Sequence, residues 1–205
     1  MKSLSLLTCV VIILSVLVSC NTSKNTSKNN KNTDKKNPAA AEAAVKIGRM
    51  LDFLATDLIS ASGQKAEIIR TAEGISITFQ PEFYFESSSD RLTMEAIEVL
   101  DDISSVLSQY PYTEIFIEGH ADSSGNQLKN KNLSEMRAKA VALYFKAHDV
   151  TADRLAIAGY GATRPIDSNR TPEGRRRNRR VLVKIRANEE KFLSSKVTKK
   201  NSGEK

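Results

Sequence analysis

The sequence is poor in the residues on which most site chemistry depends. It has two cysteines, Cys9 and Cys20, both within the first twenty positions. The rest of the chain can therefore form no disulfide and no thiolate metal site. It has two histidines, His120 and His148, and no HExxH pairing. Glu118 and Asp122 flank His120, but a metal needs more ligands of matching geometry, so His120 reads as a buried structural histidine hydrogen-bonded to backbone. Neither Ser123 nor Ser124 stands in a GxSxG context, and no Ser-His-Asp order emerges. Gly159-Tyr160-Gly161 lacks the third glycine and the strand–helix setting of a nucleotide fingerprint, and reads as a turn. No carboxylate pair can be placed for sugar hydrolysis. The expectation is a protein without enzymatic activity, cofactor or metal.

Long apolar runs are also scarce. The one present, Leu4 to Val18, is too short and too early for a comfortable membrane span and follows a positive start at Lys2. It ends in Leu17-Val18-Ser19-Cys20, which resembles the bacterial lipobox. That resemblance implies a signal peptide over residues 1–19, cleavage before Cys20, and acylation of the Cys20 thiol and of the new amino group. An ordinary signal peptide with an incidental cysteine, or an uncleaved anchor, is the plainer alternative. Each buried acyl CH₂ contributes about 0.8 kcal/mol, so more than one chain gives stable anchoring. Asn21, rather than Asp, follows the cysteine. By analogy with lipoprotein sorting in enteric bacteria, this favours the outer membrane.

Residues 20–37 continue as Asn, Lys, Ser and Thr with almost nothing apolar, and read as a disordered tether behind the lipidated cysteine. Fully extended, the tether reaches about 55–60 Å. Residues 38–62 read as an N-terminal helix: Pro38 suits the first turn, the alanines favour helix, and Gly63 ends it. Val45, Ile47, Met50, Leu51, Phe53, Leu54 and Leu58 give it a broad apolar stripe. Whether that stripe packs on the domain or on a partner stays open.

Residues 65–188 carry the pattern of one α+β domain. Ala72-Glu73-Gly74 separates two short strands. Thr93 caps a helix to about Gln109, and Tyr110-Pro111 stops it. Thr113 to Glu118 is a strand, Ser134 to His148 a helix, Arg154 to Ala158 a short strand and Arg179 to Arg186 a closing one. Helices alternating with strands predict a two-layer sandwich with helices on one face of a mixed sheet. Residues 189–205 read as a basic tail, a frayed helix and then disorder.

Net charge is +7, with lysine concentrated at the ends. Such an excess suits nucleic acid, an anionic membrane or an anionic polymer. Arg175-Arg176-Arg177-Asn178-Arg179-Arg180 would suggest nucleic acid in a cytosolic protein. Export and the near absence of interleaved aromatics argue against it, and a solvated basic turn is the plainer reading.

The most informative stretch is Ile115 to Arg137: a buried strand, a loop rich in Asp, Ser, Gly and Asn, then a helix start. Ser134 reads as the N-cap, with Leu133 and Ala138 as the flanking staple. Arg137 then falls in the first turn, where a cation opposes the helix dipole. Either it leans back onto a nearby carboxylate, or it waits with the free N–H groups of that turn for an external one. Asp122 stands across the loop and could hold an ammonium. Together they suit a zwitterion bearing an amine and a carboxylate on one carbon.

EGHADSSG, Asn130, LSEMRAKAV, GYGATRP and EGRRRNRRV follow one another from Glu118 to Val181. Together they resemble the OmpA-like C-terminal domain, the peptidoglycan-binding module of outer-membrane proteins, Pal-type lipoproteins and flagellar stator proteins. The resemblance implies a βαβαβ core. It also implies that Asp122 and Arg137 clamp the diaminopimelate of the peptidoglycan stem, with Asn130, Arg179 and Ser88 lining the pocket. Ala121 replaces the frequent Thr before the Asp, and Lys129 replaces the frequent aromatic before Asn130. The partners implied are peptidoglycan and, through the lipid anchor, the outer membrane, with the domain in the periplasm. A scaffold subunit of an envelope-spanning machine, bound mainly to envelope proteins, is the alternative.

Overall fold

Strand registry fixes the frame on which everything else sits. In the computed structural model, which describes residues 38–63 and 65–201, five strands form one sheet in the order β1-β2-β5-β3-β4. The strands are β1 (Glu67–Arg70), β2 (Ile75–Phe79), β3 (Thr113–His120), β4 (Leu155–Gly161) and β5 (Arg180–Ala187). Only β3 and β4 run parallel; the other pairings are antiparallel. Parallel strands need a crossover, and the helix α4 (Gln127–Ala147) supplies it. The remaining helices are α1 (Pro38–Ser62), α2 (Pro81–Tyr84), α3 (Met94–Gln109), α5 (Pro172–Asn178) and α6 (Glu189–Asn201). The expected α+β sandwich is the fold. The predicted signal peptide, Cys20 and the tether lie outside the described residues. No helix among the described residues is long and apolar enough to cross a membrane.

Period-two alternation selects the inner face of the sheet. Ile75, Ile77, Phe79, Ile115, Ile117, Val181, Val183 and Ile185 are buried, and Glu114, Phe116, Glu118 and Lys184 alternate with them in β3 and β5. Leu100, Ile103 and Leu107 of α3 and Ala138, Val141 and Phe145 of α4 join the same core. So does α1, through Ile47, Leu51, Leu54, Ala55 and Leu58. The buried stripe of α1 is narrower than its apolar residues suggest: Val45 and Phe53 are 55% and 65% exposed. One helix face can meet only the partners on one side, here α3 and β1.

Three local expectations fail for identifiable reasons. Gly159-Tyr160-Gly161 is not a turn but the second half of β4, because parallel pairing to β3 continues through Gly119 opposite Gly159. The basic run is not a solvated turn. Thr171 accepts a hydrogen bond from the Gly174 N–H at 3.1 Å and starts α5 there, and Arg180 beyond it is buried. The chain after Asn188 does not simply fray. The Asn188 side chain caps α6 at the Lys191 N–H, and Phe192 is buried edge-on against Tyr112.

Two glycines let α4 lie close on the sheet. A Cβ on Gly119 would sit 1.8 Å from the Ser134 carbonyl oxygen, and one on Gly159 would sit 2.5 Å from the Glu135 Cβ. Gly119→Ala is expected to lift the helix and destabilise the fold by about 1–3 kcal/mol, the usual range for overpacking. Urea unfolding of the variant checks this; unchanged stability would mean that the helix is not held by this contact.

Candidate functional site

The loop between β3 and α4 is built by short polar side chains. Asp122 accepts the Ser124 N–H at Oδ1, 2.7 Å, which closes a tight Asx turn. Gly125 follows at φ 76°, where a side chain would be strained. Asn126 then accepts the Lys129 N–H at 3.0 Å and caps α4. The helix therefore starts well before Ser134, which is not its cap. Ser134 is buried, donating to the Lys131 carbonyl and accepting the Gly161 N–H. Arg137 is accordingly well inside α4 rather than in its first turn. The free N–H groups of that turn do not face it, and no opposition to the helix dipole needs explaining.

Arg137 does not lean on a carboxylate either. Among the described residues it makes no ion pair; its Nε donates to the Ser89 carbonyl at 2.9 Å, and its guanidinium lies 5.1 Å from the Phe85 ring centroid. Both contacts orient the group and leave its terminal nitrogens uncommitted. Burial foremost lowers its pKa, Glu82 and Asp90 pull the other way, and Arg179 adds to the lowering. A guanidinium so far above neutrality stays charged.

Asp122 is 8% exposed and has two partners. Its Oδ2 accepts Arg179 Nη1 at 2.7 Å, while Oδ1 holds the Ser124 N–H. Burial raises the carboxyl, but the bonds from Arg179 and Ser124 outweigh it and hold the pKa below the usual value. Arg179 also reaches Glu82, Nε at 2.9 Å and Nη2 at 2.7 Å from the same Oε1. Its pKa is raised, the bonds from Asp122 and Glu82 overcoming burial.

An open cavity of about 430 Å³ is lined by Pro81, Glu82, Phe85, Glu86, Ser87, Ser88, Asn130, Leu133, Arg137 and Arg179. The sequence-predicted residues Ser88, Asn130, Arg137 and Arg179 meet on its wall. Asp122 stands behind Arg179 and touches the cavity through it. Ser88 holds φ 54°, at a turn closed by the Ser89 N–H to the Glu86 carbonyl. Asn130 donates to the carbonyls of Ser124, 2.6 Å, and Asp122, 3.3 Å, so it braces the loop as well as lining the wall. Glu82 was not singled out in the sequence, where nothing local relates it to Arg179. Four other cavities among the described residues are more apolar, and none of these four brings two guanidinium groups together.

His120 departs from its expectation. It is 3% exposed, yet neither ring nitrogen finds a hydrogen-bond partner among the described residues. Its ring stacks on Tyr160 at 5.4 Å, and Glu118 stands 3.6 Å from Nε2. Among the described residues no group of three His, Cys, Asp or Glu side chains is placed to hold a metal ion.

The OmpA family model matches residues 84–179, an interval that runs from just before Phe85 to Arg179. The chain is 33% identical over 123 residues to the probable lipoprotein YiaD of Escherichia coli, covering 60% of this chain and 56% of that one. It is 31% identical over 115 residues to the outer-membrane lipoprotein YfiB of Pseudomonas aeruginosa, covering 56% of this chain and 68% of that one. Thus it spans little more than half of the first relative's length. Among solved structures it resembles the cell wall anchor of the T6SS from Pseudomonas aeruginosa, at 28% identity and TM-score 0.58, over 69% of this chain and 99% of that one.

Proposed function

This chain belongs to the OmpA family, and from that premise we propose that it grips peptidoglycan noncovalently through the diaminopimelate of the stem peptide. One observation carries the reading: Arg137, oriented but without a carboxylate partner among the described residues, shares a cavity wall with Arg179, which Asp122 holds from behind. Unlinked diaminopimelate ends in an ammonium and a carboxylate on one carbon. Arg137 takes the carboxylate through its terminal nitrogens, the geometry in which guanidinium outperforms a point charge. The acidic side of the cavity takes the ammonium. No bond is made or broken, so neither nucleophile nor general base is required.

In the same proposal Cys20 carries the lipid anchor and the domain hangs in the periplasm from the outer membrane, so that the grip ties membrane to wall. The likeness to two lipoproteins, one of them of the outer membrane, supports this placement. Each charge-assisted bond contributes about 1.5–3 kcal/mol. Arg137→Ala, which loses such a bond to the ligand, and Asp122→Ala, which releases Arg179 from its place on the wall, are each expected to weaken retention on diaminopimelate-type sacculi at least tenfold, measured by co-sedimentation of variants that keep the wild-type circular dichroism. Retention of both at wild-type level would put the basic surface, not the clamp, in charge.

A second reading, a scaffold subunit of an envelope-spanning machine, draws on the likeness to the T6SS cell wall anchor. A partner that co-purifies after lipid extraction, from a chain that ignores sacculi, would favour it.

A further inference from the structure

The proposed site contains a carboxylate better placed for the ligand than Asp122. Asp122 is nearly enclosed, with Oδ1 held by the Ser124 N–H and Oδ2 by Arg179, and it forms no part of the cavity wall. Glu82 is on that wall. It projects from α2, a short helix pinned by two buried residues, Pro81 and Tyr84, the latter bonded through its hydroxyl to the Lys65 carbonyl at 2.7 Å. One oxygen, Oε1, takes both bonds from Arg179. The other, Oε2, accepts no hydrogen bond among the described residues. Asp122 thus holds Arg179 from behind, while Glu82 holds it from the open side and keeps an acceptor free.

We infer that Glu82 receives the ligand's ammonium group and so makes the site selective for stem peptides whose diaminopimelate amine is free. The inference rests on the peptidoglycan reading and goes beyond it by assigning the amine to a residue and a bonding state. When a stem is cross-linked through that amine, the nitrogen becomes a neutral amide. It then offers Glu82 no charge, and its acyl substituent must enter the space beside Arg179. Of the other acids near the cavity, neither Glu86 nor Asp90 bonds Arg179 among the described residues. Glu86 faces Arg91 at 3.6 Å, and Asp90 acts on Arg137 at the carboxylate end of the site.

The test uses the full chain and two synthetic stem peptides, one with the free diaminopimelate amine and one acetylated there, titrated calorimetrically. Wild type is expected to prefer the free amine by about tenfold or more, the value of one charge-assisted bond. Glu82→Gln keeps the length and an acceptor for Arg179 but loses the charge. It is expected to lose the preference, its affinity for the free-amine peptide falling to that for the acetylated one. Glu82→Gln that keeps the full preference overturns the inference. So does a variant that loses both peptides equally, since Glu82 would then act only by placing Arg179. A wild type that binds neither peptide sinks the peptidoglycan reading itself, which separates the two failures.

Discussion

Arg154→Ala is expected to cost about 3–5 kcal/mol of stability, the largest effect of any single substitution considered. Arg154 is 5% exposed and makes no ion pair among the described residues. Its guanidinium instead gathers backbone. Nε donates to the Thr113 carbonyl at 3.0 Å, and Nη2 donates to the carbonyls of Leu107, 3.1 Å, and Tyr110, 3.0 Å, and to the Thr113 hydroxyl, 2.7 Å. These groups are the end of α3, the turn after it and the first residue of β3. The side chain therefore joins the helix stop to the strand that delivers the Asp122 loop. Removing it leaves several buried carbonyls short of a donor, at about 1–3 kcal/mol each where no water enters. Burial lowers the Arg154 pKa, with Asp153 opposing, but a charged guanidinium remains. Arg154→Lys is expected to recover only part of the loss, because a single ammonium nitrogen cannot stand at both the Nε and the Nη2 positions from which these groups are reached. Urea unfolding measures both; a loss under about 1 kcal/mol for the alanine variant would refute this account of the corner.

Acid is expected to destabilise the domain through His120 by on the order of 3 kcal/mol between neutral pH and pH 4. In the unfolded chain an imidazole takes its proton near 6.5. In the fold His120 stays neutral down to about 4, chiefly because it is buried, with Arg180 and Lys184 adding to the effect and Glu118 opposing it. The folded value is the lower one, so between the two the unfolded state binds more protons. Stability is therefore complete above about pH 6.5 and falls as the pH drops towards 4, at about 1.4 kcal/mol per unit. Carboxylates such as Asp122, whose pKa is also depressed, add a further loss only at lower pH. Replacing the imidazole with an uncharged ring, His120→Phe, should flatten the upper part of that slope. Equal pH slopes for wild type and variant in denaturant titrations would contradict the assignment.

What was legible in the sequence follows from how local the deciding interaction is. Thr93 and the spacing of Ile103 and Leu107 announce α3, and the Thr93 hydroxyl does accept the Ala96 N–H at 3.1 Å. The start of α4 was not legible in the same way. Both Asn126 and Ser134 are good caps in isolation, and the choice is made by tertiary contact: Ser134 is spent on the Gly161 N–H of β4. Tyr160 sits between two glycines that look like a turn, and only pairing with β3 draws them into a strand. In α1, Val45 and Leu54 are equally apolar, but only one faces α3 and β1. At the site, Ser88, Asn130 and Arg179 were marked by the family resemblance and meet Arg137 on one wall, while Glu82, which no motif marks, was missed. Its partner Arg179 is 97 positions away, and no periodicity or spacing connects them.

The central claim is recognition of a carboxylate and an amine on one carbon. The most direct measurement is co-sedimentation of the protein with two preparations of sacculi, one whose stems carry diaminopimelate and one whose stems carry lysine at the same place. Lysine keeps the ammonium and lacks the carboxylate that Arg137 is oriented to receive. The account predicts retention on the first wall and at least tenfold weaker retention on the second, with Arg137→Ala erasing the difference. Equal retention on both walls would contradict it.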